Sequence, residues 1–326
     1  MKEEQSHFIK NIEIKNFKCF ENFSAEGFGR VNLIGGKNNV GKTAFMEAIF
    51  IASFNNKLKY SMDDIIPFLA IESYRNTIDI YKEIPSSSFI KIFDKYDNIQ
   101  IKHSNSYISL KQEKKGFDET FFINEKRTYA TREHQGSVSV SQKFNNFVPS
   151  YMIGNNLIIS IFDKIKEERK REQLNKILNE FDKNILEFDI INDKPHVFLK
   201  SQEKFQDVAE LGHGLKRYIA IISSILINKN GLLFLDELEN GIHYTNLDEL
   251  WKVILKTSEE ANVQVFATTH SKECIESYAR MAKKLDEKNE DITYTYLTRL
   301  KDNSLYASIY TKDILETAIQ QEHEVR

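Results

Sequence analysis

An eight-residue glycine and lysine motif near the N-terminus constrains the fold of this chain more than any other feature. Residues 36–43 read GKNNVGKT, which matches the pattern G-x-x-x-x-G-K-[ST]. Such a loop curls backbone N–H groups around phosphates, and the helix that follows points its positive end at them. The flanks fit, because RVNLI predicts a buried strand and TAFMEAIF predicts a buried helix. We therefore predict a nucleotide-binding strand–loop–helix unit.

Each residue of this phosphate loop has an expected role. Lys42 is expected to reach the β- and γ-phosphates, and the Thr43 hydroxyl is expected to ligate Mg²⁺. The remaining residues are expected to surround the phosphates with backbone N–H groups. These residues are Gly36, Lys37, Asn38, Asn39, Val40 and Gly41.

Two further buried strands end in side chains suited to phosphate chemistry. LLFLDE, residues 232–237, brings Asp236 to the Mg²⁺ shell and Glu237 to the attacking water as a general base. VQVFATTHS, residues 263–271, places His270 where it can reach the γ-phosphate. The strands are about one βαβ unit apart, so both ends are expected at one sheet edge. Each segment also has an interpretation without a catalytic role. Residues 232–237 can end in a solvated acidic turn, and His270 can be a strand-end residue with a local hydrogen bond.

A second glycine-rich segment leads into an apolar helix. ELGHGLKRYIAIISSIL places Gly212, His213 and Gly214 at the start of that helix, where backbone N–H groups can bind an anion. A plain helix start with a glycine cap explains the segment equally well when it is considered alone.

The coarse pattern predicts an α/β fold of one domain. Strands alternating with helices predict a mixed, mainly parallel sheet built from residues 1–60 and 200–326. Residues 61–200 are expected to add a helical stretch near 60–85 and an antiparallel β region over 88–148, and to offer a surface for a partner protein. One charged, exposed helix is expected over 162–189. Its apolar stripe comprises Ile165, Leu174, Ile177, Leu178 and Phe181.

Composition excludes several classes of protein. Lys and Arg total 45 against 48 Asp and Glu, a net charge of −3, which excludes a globally basic nucleic-acid binder. Cys19 and Cys274 are the only cysteines, so no disulfide framework or cysteine-based zinc site is expected. No apolar run reaches the roughly 20 residues of a membrane span. We expect a cytoplasmic protein with no membrane partner.

Taken together, the motifs resemble the ATPase heads of the ABC superfamily. The order is phosphate loop, signature helix, Asp-Glu strand and switch histidine. IKNFKCFENF, DELENGIHYTNLDELW and ATTHSKE are most similar to the SMC/RecF-like branch, and within it to OLD-like bacterial AAA-family ATPases. The resemblance spans nearly the whole chain, although the middle third carries no specific motif.

The resemblance implies a role for each matching residue. ATP and Mg²⁺ are the implied cofactors, Asp236 and Glu237 the Walker B carboxylates, Asn240 to His243 the D-loop and His270 the switch histidine. The signature segment falls at residues 211–217, where this chain has Gly212-His213-Gly214 instead of Ser-Gly-Gly. In such ATPases this segment contacts ATP held by the other subunit of a homodimer. The Q-loop is expected near 147–151, although Gln142 is the nearest glutamine.

The implied function is an ATP-hydrolysing switch that gates a separate effector or a DNA contact. Only 56 residues follow His270, too few for a TOPRIM nuclease domain, so a TOPRIM or HNH nuclease would be another chain. By resemblance, antiphage defence is the expected role. One alternative is a RecF-like repair ATPase acting directly on double-stranded DNA through basic stretches such as KIKEERKREQ. Another is the ATPase subunit of a membrane transporter.

Overall fold

A computed structural model of the chain describes its secondary structure and most of its packing. The described residues are 8–53, 84–85, 98–103, 106–115, 118–123, 126–130, 137–138, 146–150, 153–285 and 287–321. In chain order, the strands are β1 (Asn11–Phe17), β2 (Phe20–Glu26), β3 (Val31–Gly36), β4 (Ile84–Pro85), β5 (Asn98–His103), β6 (Ser106–Lys115), β7 (Asp118–Ile123), β8 (Lys126–Ala130), β9 (Ser137–Val138), β10 (Phe147–Val148), β11 (Ile185–Ile191), β12 (Lys194–Leu199), β13 (Lys204–Asp207), β14 (Leu232–Leu235), β15 (Gln264–Thr268), β16 (Ile292–Arg299) and β17 (Leu305–Thr311). The helices are α1 (Lys42–Ala52), α2 (Asn155–Glu167), α3 (Arg171–Phe181), α4 (His213–Ile227), α5 (Leu247–Glu260), α6 (Lys272–Lys284) and α7 (Lys312–Gln320).

The central sheet is mixed, as the sequence predicts. Its order is β10-β14-β15-β3-β16-β17, and all neighbours are parallel except the edge pair β16 and β17. Every residue of β3 and β15 is buried. Strands buried on both faces are continuous apolar runs rather than alternating ones, and this is why both are readable in the sequence.

Helix α1 fills the space between the central sheet and a second, antiparallel sheet. The second sheet has the order β2-β1-β5-β6-β7-β8. Ten of the eleven residues of α1 are buried, which matches its nearly unbroken apolar sequence. Its Phe50 ring packs edge-on against Phe234 of β14, with ring centroids 5.2 Å apart. The phosphate loop at the start of α1 is therefore mounted on a helix with apolar contacts on both sides.

The other face of the central sheet carries the layer formed by helices α2 to α7. Their apolar side chains form one core with β3, β14 and β15. Trp251 of α5 is fully buried there, and its indole N–H donates to the carbonyl of Cys274 in α6 at 3.1 Å. The large helical core fixes the direction of α4, whose first turn lies near the carboxyl ends of the parallel strands.

The antiparallel region predicted for residues 88–148 is confirmed over β5 to β8. These strands pair in sequence order, and β5 also joins β1, with Ile101 opposite Ile14. Residues 89–94 of that predicted region lie outside the described residues, and so does the predicted helix near 60–85 apart from Ile84–Pro85. That dipeptide is a short strand paired with β9.

The single charged helix predicted over 162–189 is wrong. Helix α2 ends at Glu167, α3 begins at Arg171, and residues 185–191 form a strand. Arg169 takes a left-handed φ of 56°, and the N–H of Lys170 donates to Ile165 at 2.9 Å. This is a Schellman helix ending, which usually carries glycine at the left-handed position. Arg169 occupies this position here, so no glycine marks the end of the helix. The predicted apolar stripe does face the core.

Candidate active site

The phosphate loop connects β3 to α1 and keeps its lysine inside the loop. The Nζ of Lys42 is buried and donates to the carbonyl oxygens of Gly36 at 2.7 Å and Lys37 at 3.0 Å. Gly41 caps α1 with φ of 106°, and a Cβ there would lie 2.6 Å from the sulfur of Cys19. The loop conformation therefore requires glycine at this position, both for φ and for space.

Two oxygen donors meet beside the loop. The hydroxyl of Thr43 lies 3.5 Å from Oδ1 of Asp236, the residue that follows β14. Among the residues that the structure describes, no group of three or more His, Cys, Asp or Glu side chains could hold a metal ion. Mg²⁺ commonly takes one or two protein oxygens and completes its shell with phosphate and water. The pair therefore fits Mg²⁺ bound together with a nucleotide.

The end of β14 is joined to β15 through one buried hydroxyl. Thr268 donates to Oδ1 of Asp236 at 2.7 Å and accepts the backbone N–H of Glu237 at 2.8 Å. Its carbonyl also accepts the N–H of Leu238 at 2.9 Å. This parallel pairing fixes the two carboxylates at the sheet edge, where the strand order predicts them.

Glu237 lies in a partly desolvated, acidic environment. Burial raises the pKa of Glu237, and the nearby carboxylate of Asp236 raises it further, while His270 opposes the shift. The side-chain amide of Asn240 donates to Oε2 of Glu237 at 3.1 Å and also to the carbonyl of Ser150 at 2.8 Å. A carboxylate held in this way is a stronger base than a solvated one.

His270 connects the Asp-Glu turn to the phosphate loop. Its Nε2 lies 3.4 Å from Oε1 of Glu237, and its Nδ1 lies 2.8 Å from Oδ1 of Asn38. Its backbone N–H donates to the carboxylate of Glu239 at 2.7 Å. The imidazole therefore spans the gap between the expected general base and the loop.

These residues line one open cavity of about 700 Å³. The lining residues are Asn38, Asn39, Gly41, Lys42, Thr43, Ala44, Glu237 and His270. The structure thus brings together three sequence segments that were predicted to share a site. The cavity is therefore lined by cationic, hydroxyl, carboxylate and imidazole groups beside the phosphate loop.

The predicted signature segment lies apart from this cavity. Gly212 and His213 are exposed, and Gly212 caps α4 with φ of 103°. His213 lines a separate cavity of about 280 Å³ together with Lys216, Asn240 and Gly241. Burial lowers the pKa of Lys216, whose Nζ donates to Oδ1 of Asn155 at 2.7 Å.

Sequence reasoning missed three residues that hold the site in place. Thr268, Glu239 and Arg217 contact the Asp-Glu turn or His270, but Thr268 and Glu239 have no predicted role and Arg217 is predicted only as the end of the signature segment. Arg217 had a usable signal, because it stands four positions before Ile221, which places it on the helix face that the following apolar residues bury. A buried position for a charged side chain indicates a specific partner.

Residues 31–276 match the protein family described as AAA domain, putative AbiEii toxin, Type IV TA system. The chain belongs to this family. An ATP/GTP phosphatase of Helicobacter pylori is 22% identical over 371 residues, which cover 97% of this chain and 99% of that protein. The DNA replication and repair protein RecF of Clostridioides difficile is 34% identical over 55 residues, covering 17% of this chain and 15% of that protein.

A solved structure supports the same fold. An Smc head bound to the C-winged helix domain of ScpA has a TM-score of 0.55 at 13% identity, covering 96% of this chain and 99% of that chain. The protein is a P-loop ATPase that shares the fold of this Smc head, so the fold and ATPase predictions are confirmed. Within the described residues, none of the ATPase's helices has the length and apolar character that a bilayer span requires.

Proposed function

We propose that the protein is an ATP-driven switch in which two copies close around ATP and thereby gate a separate effector. One observation carries this proposal. The cavity that holds Lys42, Thr43, Glu237 and His270 is open, and the segment Gly212–Gly214, whose first two residues are exposed, does not line it. A second copy, turned head to tail, supplies that segment to the open side.

Within one copy, each residue has a distinct task. Lys42 and the backbone N–H groups of the loop bind the β- and γ-phosphates. Thr43 and Asp236 hold Mg²⁺, which neutralises charge on the phosphate oxygens when it is bound. Glu237 orients the attacking water and accepts its proton, and His270 lies beside the γ-phosphate. Asn240 and Thr268 keep Glu237 oriented towards the cavity.

The second copy contributes backbone N–H groups from the start of α4. The serine hydroxyl of the usual signature is absent, because Gly212, His213 and Gly214 occupy these positions. His213 and Lys216, which line the same small cavity, supply the polar side chains. The positive end of the 15-residue helix α4 also favours an anion there.

Dimer formation can be tested with a variant that binds ATP but hydrolyses it slowly. Glu237→Gln removes the general base and keeps the side chain's size, so ATP is expected to trap a dimer that sedimentation velocity detects. ADP is expected to leave a monomer. The control is the double variant Lys42→Ala and Glu237→Gln, which should stay monomeric with ATP. A Glu237→Gln protein that remains monomeric in saturating ATP contradicts the proposed dimer.

The effector is proposed to be a nuclease of the TOPRIM or HNH class in bacterial antiphage defence. The matched family's description, which names a putative AbiEii toxin of a type IV toxin–antitoxin system, supports a role of this kind. The test is phage plating on cells that carry the gene with its neighbours, comparing wild type with Lys42→Ala. Equal plating on both strains contradicts an ATP-dependent defence role.

A direct DNA contact is the second candidate, and the short match to RecF favours it. Binding to a double-stranded oligonucleotide is then expected to weaken steeply as salt rises, because counterion release drives such contacts. ATP turnover should rise with DNA and lose this stimulation at high salt. Turnover that DNA leaves unchanged favours the effector-gated switch instead.

A further inference from the structure

A buried arginine of α4 holds the turn that carries Glu237. Arg217 is 4% exposed, and its guanidinium donates four hydrogen bonds, all to backbone carbonyl oxygens. The acceptors are Pro149 at 2.7 Å, Asp236 at 2.5 Å, Glu237 at 2.8 Å and Leu238 at 3.1 Å. One side chain therefore fixes three consecutive peptide groups after β14 and ties them to the segment after β10.

Burying this cation is costly. The guanidinium of Arg217 is almost fully withdrawn from water, and moving a charge out of water is unfavourable even with the carboxylates of Asp236, Glu239 and Glu237 nearby. An apolar side chain fills a core position without such a penalty, and replacing buried charges by apolar groups is often neutral or stabilising. The guanidinium therefore serves the turn, where its rigid fork matches several carbonyl groups at once.

The turn needs this support because Glu237 is strained. Its φ is 46°, in the left-handed region that non-glycine residues rarely adopt. Strain of this kind is unfavourable and persists only where surrounding contacts impose it. The N–H of Glu237 is held by Thr268 and its carbonyl by Arg217. Loss of the guanidinium frees one side of the residue.

Arg217 also lies close to the exposed start of its own helix. It stands one helical turn after His213. The first turn of α4 packs directly on the D-loop, since a Cβ added at Gly214 would lie 2.6 Å from the carbonyl oxygen of Gly241. A small displacement of this first turn is therefore transmitted to the turn at Glu237 in two ways, through Arg217 and through the contact of Gly214 with Gly241.

We propose that Arg217 is a positioning residue that aligns Glu237 with the phosphate cavity and makes its alignment sensitive to what docks at the start of α4. The alignment depends only on contacts within one copy. Its sensitivity to docking rests on the proposed function, in which a second copy's ATP occupies that surface.

The test compares Arg217→Met with wild type in single-turnover hydrolysis at saturating ATP. Misplacing a catalytic group by about 1 Å costs up to about 100-fold, so we expect the rate to fall about 10- to 100-fold. The dissociation constant for a fluorescent ATP analogue should change less than about threefold, since Arg217 is outside the phosphate cavity. Arg217→Lys keeps the charge but loses the fork, so it should recover part of the rate.

A matched control separates alignment from general stability. Arg30 is also buried, at 2% exposed, and bonds to the carbonyl of Leu255, the hydroxyl of Ser258 and the carboxylate of Glu287. It precedes β3, at the end opposite the phosphate loop. Arg30→Met should lower the melting temperature at least as much as Arg217→Met while leaving the hydrolysis rate per folded molecule unchanged.

A double-variant cycle gives the decisive result. If Arg217 acts through Glu237, adding Arg217→Met to Glu237→Gln should cause no further loss of rate. A wild-type rate for Arg217→Met, or losses that multiply fully in the double variant, overturns the proposal. Sedimentation of Glu237→Gln in ATP reports the dimer separately, so failure of the proposed function leaves the alignment test readable.

Discussion

The hydroxyl of Thr268 donates to the carboxylate of Asp236 at 2.7 Å, across neighbouring parallel strands. The same hydroxyl accepts the N–H of Glu237. Thr268→Val is nearly isosteric but leaves both buried groups without this partner, which costs about 1–3 kcal/mol. We expect a lower melting temperature and hydrolysis at least about tenfold slower. Thr268→Ser, which keeps the hydroxyl, should behave like wild type, and a slow Thr268→Ser protein contradicts the assignment.

Gly41 is expected to be irreplaceable in the phosphate loop. Gly41→Ala must hold φ at 106° and places a Cβ against Cys19, so the loop should shift and ATP affinity should fall about tenfold or more. Isothermal titration with ATP measures the change. Gly154→Ala is the matched control, because Gly154 has an ordinary φ of −67° and no atom within 4 Å of an added Cβ.

The contact between Gly41 and Cys19 allows the cause of the expected loss of ATP affinity to be tested. Cys19→Ala in the Gly41→Ala background removes the sulfur but leaves the backbone strain, so it should restore only part of the affinity. Full recovery of ATP affinity would mean that the clash with Cys19 alone causes the loss. No recovery would mean that the strained φ of residue 41 causes it.

His270 is expected to act on hydrolysis rather than on binding. It lies between Glu237 and Asn38, so His270→Ala should slow hydrolysis about tenfold or more while ATP affinity changes little. Single-turnover rates and ATP titrations measure the two effects. His196→Ala is the control, since His196 lies in β12 with its Nδ1 2.9 Å from the carbonyl of Lys194. Equal losses from both substitutions would contradict a specific role.

Much of this architecture is readable from local sequence. The phosphate loop, the buried strands β14 and β15, and the Asp-Glu and histidine ends follow from short patterns, and parallel pairing brings those ends to one edge. Long-range pairing is different. The pairing of Ile14 in β1 with Ile101 in β5 joins distant segments, and nothing in the sequence of either strand specifies its partner.

Two features escaped sequence reasoning for physical reasons. The break after α2 depends on Arg169 in a conformation that usually takes glycine. The sequence pattern places Arg217 near the start of a helix. Its role depends instead on four carbonyl groups that other segments supply. Both depend on backbone geometry formed only when distant elements meet. The role of each site residue stays a prediction until these variants are measured.

The hydrogen bonds that join Asp248 of α5 to α6 should make the stability of the protein depend on pH. Asp248 in the first turn of α5 accepts hydrogen bonds from Arg280 Nε at 3.0 Å and from Ser277 at 2.6 Å. The hydrogen bond from Arg280 lowers the pKa of Asp248 below its ordinary 3.8. The folded state therefore binds a proton less tightly than the unfolded state. The stabilisation is complete above pH 3.8 and is lost as pH falls through the lowered value.

Asp248→Asn tests this linkage. The pair is partly exposed, and such pairs contribute about 0–1 kcal/mol, so the melting temperature at pH 7 should fall by no more than about 2 °C. The difference from wild type should shrink as the pH falls below 3.8, because the unfolded wild-type chain then binds a proton at Asp248 more readily than the folded chain does. High salt should also reduce it. Arg280→Met should give a similar loss at pH 7, and the double variant should add little. A difference that persists unchanged at low pH assigns the effect to the Ser277 contact or to helix packing instead of the charge.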